Sequence, residues 1–232
     1  MVVGNGMVAK CFESYKDNSE FIIFASGVSN SKISDEDAFN RELSLLRDHI
    51  RSSKRKTLVY FSTCSFYDPE EKNSPYLKHK KEIESVIIKN QPRYYIFRVS
   101  NLVGNSKNMN TILNFFVYHI KRGINFDLWV DAQRNLIDVD DMFKIVDYIL
   151  THKIFENQII NIANPKSYPV RKIIMAIEEL FNTKANFISV NKGSQLSIDT
   201  SDLTPILKEL NIKFDKDYLK NLLTKYHSTN EL

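Results

Sequence analysis

Thr57-Leu58-Val59-Tyr60-Phe61-Ser62-Thr63-Cys64-Ser65, followed by Ser74-Pro75-Tyr76-Leu77-Lys78-His79-Lys80, is the stretch from which the fold can be read. Thr57–Phe61 shows no alternation of apolar and polar residues, the pattern of a parallel strand covered on both faces. Ser62 and Thr63 end it with small hydroxyls, at the carboxyl edge of a sheet where open α/β proteins build their sites. Ser74-Pro75 then starts a helix expected from about Tyr76 to Lys89, since proline suits a first helical position.

The same alternation extends outward in both directions. Upstream, Phe21–Ala25 is another continuous apolar run, closed by Ser26-Gly27. Ser34-Asp35-Glu36-Asp37 opens a helix to about Ser52 with acids in its first turn, where they complement the helix dipole. Downstream, Arg93–Val99 reads as a strand and Met109–Arg122 as a helix. Strand, helix, strand, helix, strand predicts βαβ units and a parallel sheet. At the amino-terminal side Met1–Val3 is a very short strand, and apolar periodicity runs from the Gly4 region to Tyr15.

After Gly123 the order loosens. Phe126–Trp129, Asn135–Val139 and Ile159–Ile162 read as strands, and Asp140–Thr151, Val170–Leu180, Leu203–Leu210 and Tyr218–Tyr226 as helices. We expect a cofactor-type domain over 1–125 and a mainly C-terminal substrate lobe over 126–232, with about 135–165 returning to the sheet.

Composition excludes several classes. The chain has 232 residues, 43% of them apolar, enough for a sizeable core. Lys+Arg 32 against Asp+Glu 28 gives a net charge of only +4. The basic residues are interspersed with acids, a solvated surface and no nucleic-acid footprint. The two cysteines, Cys11 and Cys64, sit in apolar segments, which suits reduced thiols and a cytoplasmic location. No apolar run has membrane-spanning length, and Met1-Val2-Val3-Gly4 does not look like a secretory signal.

Gly4-Asn5-Gly6-Met7-Val8-Ala9 follows a strand and opens a helix, the context in which a Gly-x-Gly-x-x-Ala loop binds a dinucleotide. The first glycine permits the tight turn and the second lets backbone approach a pyrophosphate. The small Ala9 allows close helix–strand packing. A glycine-rich turn without ligand has the same sequence. The acid that normally ends the next strand and holds the adenosine ribose is missing, since that strand ends Ala25-Ser26-Gly27. Either Ser26 leaves room for a 2′-phosphate, or two strands have been lost; the second explanation is favoured.

Tyr76 and Lys80 lie one helical turn apart on one face. A phenol is a poor base at neutral pH, and a nearby ammonium stabilises the phenolate, so the pair can move a proton. Thr63 offers a hydroxyl to the same substrate oxygen. With 11 tyrosines and abundant lysine, Tyr-x-x-x-Lys also arises by chance on a solvated face.

With these pieces in order, the chain resembles the extended short-chain dehydrogenase/reductase family of NAD-dependent epimerases and dehydratases over nearly its full length. Gly4-x-Gly6-x-x-Ala9, Ala25-Ser26-Gly27, Ser62-Thr63 and Tyr76-x-x-x-Lys80 match in sequence order. Arg98-Val99-Ser100-Asn101-Leu102-Val103-Gly104, Arg134-Asn135-Leu136-Ile137-Asp138-Val139-Asp140-Asp141 and Asn161-Ile162-Ala163-Asn164 follow. The resemblance implies an α/β fold with a Rossmann-like parallel sheet and helices on both faces. The second and third strands would be absent, because the stretch between Ala9 and Ala25 is too short to hold them. A small mixed C-terminal lobe would take the substrate.

It further implies Thr63, Tyr76 and Lys80 as catalytic residues. Gly4, Gly6, Met7, Val8, Ala25, Ser26, Gly27 and Ser62, with Tyr76 and Lys80, would bind NAD or NADP. Asn101 and Arg134 would bind a nucleotide-sugar, and no metal is expected. Asp140-Asp141 are expected to cap the following helix. Cys64-Ser65 replaces the Asp-Glu of family dehydratases, which favours epimerisation or keto reduction, with surface polysaccharide as the destination and a homodimer as one arrangement. The shortened amino-terminal half keeps two alternatives open: a non-catalytic scaffold, and an enzyme completed by a partner.

Overall fold

The computed structural model describes residues 1–28, 30, 34–106 and 108–228. In chain order the first half comprises β1 (Val2–Val3), α1 (Met7–Cys11), β2 (Phe21–Phe24), α2 (Glu36–Ser52), β3 (Thr57–Thr63), α3 (Pro75–Asn90) and β4 (Tyr94–Val99). The second comprises β5 (Asn101–Val103), α4 (Ile112–Lys121), β6 (Phe126–Trp129), β7 (Gln133–Arg134), β8 (Leu136–Asp138), α5 (Val139–Thr151) and β9 (Gln158–Ile162). β10 (Tyr168–Pro169), α6 (Val170–Phe181), β11 (Phe187–Val190), α7 (Thr204–Glu209) and α8 (Tyr218–His227) complete it.

Five strands form one parallel sheet in the order β1-β2-β3-β4-β9. Successive side chains of a strand point to opposite faces, and here both faces are covered. Phe21, Ile23, Val59, Tyr95, Phe97 and Val99 join α5 residues Met142, Ile145 and Val146 in one core. Ile22, Phe24, Leu58, Tyr60 and Ile96 join Leu46 and Ile50 of α2 and Ile83 and Ile87 of α3 in another. This is why these strands read as uninterrupted apolar runs. A third core gathers α4, α6 and α8 around β6 and β8. Three further two-stranded pairs, β5–β8, β6–β11 and β7–β10, lie outside the main sheet.

The loss of two strands is borne out. β1 pairs directly with β2 and is the edge of the sheet, and the described chain between α1 and β2 contains only a 3-10 turn, Glu13–Tyr15. That short connection folds back on β1. The Met1 ammonium donates to the carbonyls of Tyr15, Asn18 and Phe21 at 2.9, 3.0 and 3.0 Å.

Two details correct the reading of the sequence. The apolar periodicity that runs to Tyr15 is helical only as far as Cys11, because Phe12 leaves helical geometry and becomes fully buried against Tyr15, Phe61 and Phe143. Tertiary packing overrides the helical period there. The cap of α5 is Asp138, whose carboxylate accepts from the Asp140 amide at 2.9 Å; Asp140 and Asp141 are first-turn acids. Lys225 of α8 bridges Asp138 and Asp140 at 2.7 and 2.6 Å, so the C-terminal helix is tied to this helix start.

Candidate active site

The first half of the site is the carboxyl end of β3. Thr63 Oγ1 accepts from the Ser65 amide and donates to Ser65 Oγ, both at 3.0 Å, which fixes the hydroxyl where the strand turns. The Thr63 side chain also faces the Tyr76 phenol. Tyr76 stands in the first turn of α3, which starts where it does because Pro75 fits that turn and Ser74 Oγ accepts from the Leu77 amide at 3.2 Å. Lys80 follows on the same face. Tyr76 is 5% exposed and Lys80 2%, whereas Lys78 lies in solvent, so a solvated face accounts for Lys78 alone.

The structure thus brings Thr63, Tyr76 and Lys80 together, with a partner the sequence did not announce. The Lys80 ammonium is 5.7 Å from the centre of the Tyr76 ring, and its hydrogen bonds run to Glu42 Oε1 at 3.0 Å and Tyr60 Oη at 2.8 Å. Glu42 comes from α2 and is 1% exposed. Its carboxylate also accepts from Tyr60 Oη at 2.7 Å and from the Val28 amide at 2.7 Å, and lies 2.9 Å from His79 Nε2.

Electrostatics follow this arrangement. Burial pushes the Tyr76 phenol well above its ordinary value; the Thr63 hydroxyl opposes this, and the charges of Glu42 and Glu71 add to it. The phenol lowering expected from Lys80 is therefore reversed. Burial lowers the Lys80 ammonium against the pull of Glu42 and Glu84. For Glu42, burial alone acts upward, but His79, the Lys80 charge, the Val28 amide and the Tyr60 hydroxyl outweigh it and hold the carboxyl at about 2, below its ordinary 4.5. A group depressed on folding contributes stability that is complete above the unfolded value and lost as pH falls through the folded one. The urea midpoint should accordingly drop between pH 4.5 and 2, and drop less in Glu42→Gln. An equal acid dependence in the two proteins would contradict this.

A second buried acid holds the same helix. Glu84 accepts Arg98 Nε and Nη2 at 3.0 and 2.7 Å and Ser62 Oγ at 2.6 Å. The Arg98 guanidinium also covers the Phe66 ring at 4.4 Å. Ser62, expected beside the cofactor, thus has its hydroxyl turned to α3. Cys64 points inward, its Sγ donating to the Arg98 carbonyl at 3.0 Å, and burial pushes its thiol up to about 12.

The glycine loop shows two different requirements. Gly4 has φ +122°, and a Cβ there would lie 2.5 Å from the Ala25 carbonyl oxygen, so only glycine lets the loop rest on the tip of β2. Gly6 is extended, and nothing lies within 4 Å of the position its Cβ would take. Gly4→Ala is expected to lose about 1–3 kcal/mol of stability, and Gly6→Ala less than about 1 kcal/mol. Paired urea titrations check this, and equal losses would show that the loop is not seated as described. Val8 packs against the main core, Ala9 is buried, and Met7 closes against Gly104, where a Cβ would come within 2.6 Å of its Sδ. Ala25, Ser26 and Gly27 are half-buried. Gly27 covers the ion pair, since a Cβ there would lie 2.8 Å from Lys80 Nζ and 2.9 Å from Glu42 Oε1.

On the substrate side, Asn101 is exposed on β5, and its Nδ2 donates to the Asn135 carbonyl at 2.9 Å. Arg134, the neighbour of Asn135, lies on β7, 3.6 Å from Asp68 in the loop after β3. The two are therefore linked to one another and to the loop that begins at Thr63. Within this frame the Gly6 backbone at the start of α1 is open, as the approach of a dinucleotide's pyrophosphate would require. The frame offers the adenosine half no strand beyond β1 among the described residues.

A model of the NAD dependent epimerase/dehydratase family matches residues 8–163. The chain belongs to this family. Solved structures of similar fold include the UDP-glucose 4-epimerase of Thermus thermophilus in complex with NAD, at 17% identity and TM-score 0.67, covering 93% of this chain and 79% of that one. They include the dTDP-glucose 4,6-dehydratase of Bacillus anthracis str. Ames with NAD, at 17% identity and TM-score 0.71, covering 97% and 78%. They also include RMD from Pseudomonas aeruginosa complexed with NADPH, at 15% identity and TM-score 0.62, covering 77% and 72%. Comparison with curated protein sequences finds no match. Within the family frame, Glu42, Tyr60 and Glu84 are the site neighbours the sequence reading missed. One signal was present: Glu42 stands in register with Leu46 and Ile50 on the buried face of α2, an acid at a core position.

Proposed function

We propose that the chain is an NAD(P)-dependent epimerase or ketoreductase acting on a nucleotide-sugar, in the service of surface polysaccharide synthesis. The observation that carries this reading is the juxtaposition of Thr63 and Tyr76, with Lys80 one turn on, at the same carboxyl edge of the parallel sheet as the open Gly6 backbone. A bound nicotinamide would supply or accept the hydride. Thr63 would orient the substrate oxygen and Tyr76 would exchange its proton. Asn101 and Arg134 would hold the sugar-diphosphate, for which a guanidinium fork is suited. Cys64, turned inward, follows Thr63 at the position where family dehydratases carry an acid to expel water, which supports epimerisation or reduction over dehydration.

A second reading, a non-catalytic or partner-completed relative, draws support from the edge position of β1 and from the Glu42–Lys80 pair, which occupies an ammonium assigned to the nicotinamide ribose. Calorimetric titration with NAD, NADP and their reduced forms separates the two. Binding of any of them, weakened by Gly6→Ala, supports the enzyme. Binding of none at millimolar concentration favours the scaffold, and affinity that rises with protein concentration favours completion by a partner.

A further inference from the structure

We infer that Glu42 is a positioning residue for the tyrosine–lysine pair: from α2 it takes up the Lys80 ammonium and so keeps Tyr76 a neutral phenol at rest. The inference rests on the reading of Tyr76 as the acid/base and adds to it a direction.

A carboxylate can accept about four hydrogen bonds, and the four partners of Glu42 come from separate parts of the fold. Tyr60 reaches it from β3, Lys80 and His79 from α3, and the Val28 amide from the segment after β2. His79 is itself stacked on Phe39 of α2, ring centres 4.5 Å apart. Gly27 closes the cage, for any side chain there would collide with both charges. The residue expected to line the cofactor is thus required to be small by the ion pair beneath it.

Distance decides where the ammonium acts. Glu42 Oε1 is 3.0 Å from Lys80 Nζ, while the centre of the Tyr76 ring is 5.7 Å away. Coulomb interaction falls with distance, and a buried ion pair presents a phenol with two nearly cancelling charges. The groups that face Tyr76 are Thr63 and Tyr60 on β3, Lys80 on its own helix, Glu42 on α2, and Glu71 in the 3-10 turn Pro69–Glu71. Apart from the lysine, the charged members are acids, and an acid opposes phenolate. A resting neutral phenol can give a proton to a substrate oxygen that is gaining electron density; it must lose that proton before it can accept one. Glu42 therefore biases the site toward protonating a carbonyl oxygen under reduction.

The test follows the phenol itself, using the whole chain labelled with [13Cζ]tyrosine, the Tyr76 signal being the one lost in Tyr76→Phe. In Glu42→Gln the unpaired ammonium should pull the Tyr76 titration midpoint down by about one pH unit or more. A smaller fall in the folded variant overturns the inference. Should Glu42→Gln not fold, Glu42→Gln/Lys80→Gln buries no unpaired charge. Its midpoint should stay less than about one pH unit above that of the parent protein. A larger rise would mean that Lys80 acted on Tyr76 despite Glu42, and would also overturn the inference. No ligand enters these titrations, so they succeed or fail independently of the dinucleotide calorimetry.

Discussion

Replacing Tyr76 by phenylalanine is expected to lower turnover of a nucleotide-sugar by about 10²–10⁴-fold, the usual contribution of a positioned acid/base. One oxygen is removed and the buried ring remains. The polar contact with Thr63 is lost, a net cost of at most about 1 kcal/mol. The thermal midpoint should therefore move by only a few degrees. The two readouts must part company: a variant that keeps full turnover removes Tyr76 from the chemistry, and one that unfolds assigns it a structural role instead.

Glu42→Ala is expected to have the opposite signature, a large loss of stability. It leaves the Lys80 ammonium, 2% exposed, without its carboxylate partner, and deprives the Tyr60 hydroxyl proton and the Val28 amide of their acceptor. Breaking a buried ion pair costs about 3–5 kcal/mol, a large part of the ~5–15 kcal/mol that holds a typical domain together. For a chain of this size the thermal midpoint should fall by about 6–20 °C. Removing both charges together, as in Glu42→Leu/Lys80→Met, should recover most of that loss, because the penalty lies in the unpaired charge. No recovery in the double variant would show that the cage works through packing.

Much of the sheet was legible because its strands are covered on both faces, and such strands appear in sequence as unbroken apolar runs. Phe21–Phe24, Thr57–Thr63 and Tyr94–Val99 each show this. The missing pair of strands was legible as well, once the family resemblance set Ala25-Ser26-Gly27 at the tip of its fourth strand and left too short a stretch after Ala9 to hold two more. The strands β5, β7, β10 and β11 were not foreseen: they are two to four residues long and owe their form to partners distant in sequence. The candidate site was legible where a spacing carries chemistry, as in Tyr76 and Lys80 one turn apart. It was illegible where chemistry depends on a contact between elements. Glu42 and Lys80 belong to α2 and α3, and Glu84 and Arg98 to α3 and β4; only the folded sheet brings each pair within hydrogen-bonding distance. Hence the sequence suggested a lysine free to acidify its tyrosine, and the fold supplies a carboxylate that intercepts it.

The pairing of β4 with β9 also bears on how the molecule is made. On the ribosome, β4 emerges well before its outer neighbour, with α4, the four short strands β5 to β8 and α5 synthesised in between. Throughout that interval the nascent chain carries a strand of Tyr95, Ile96, Phe97 and Val99 with one open edge, a template for pairing with the wrong chain. That edge closes only when Gln158–Ile162 arrives, so slow translation of the segment between the two strands lengthens its exposure.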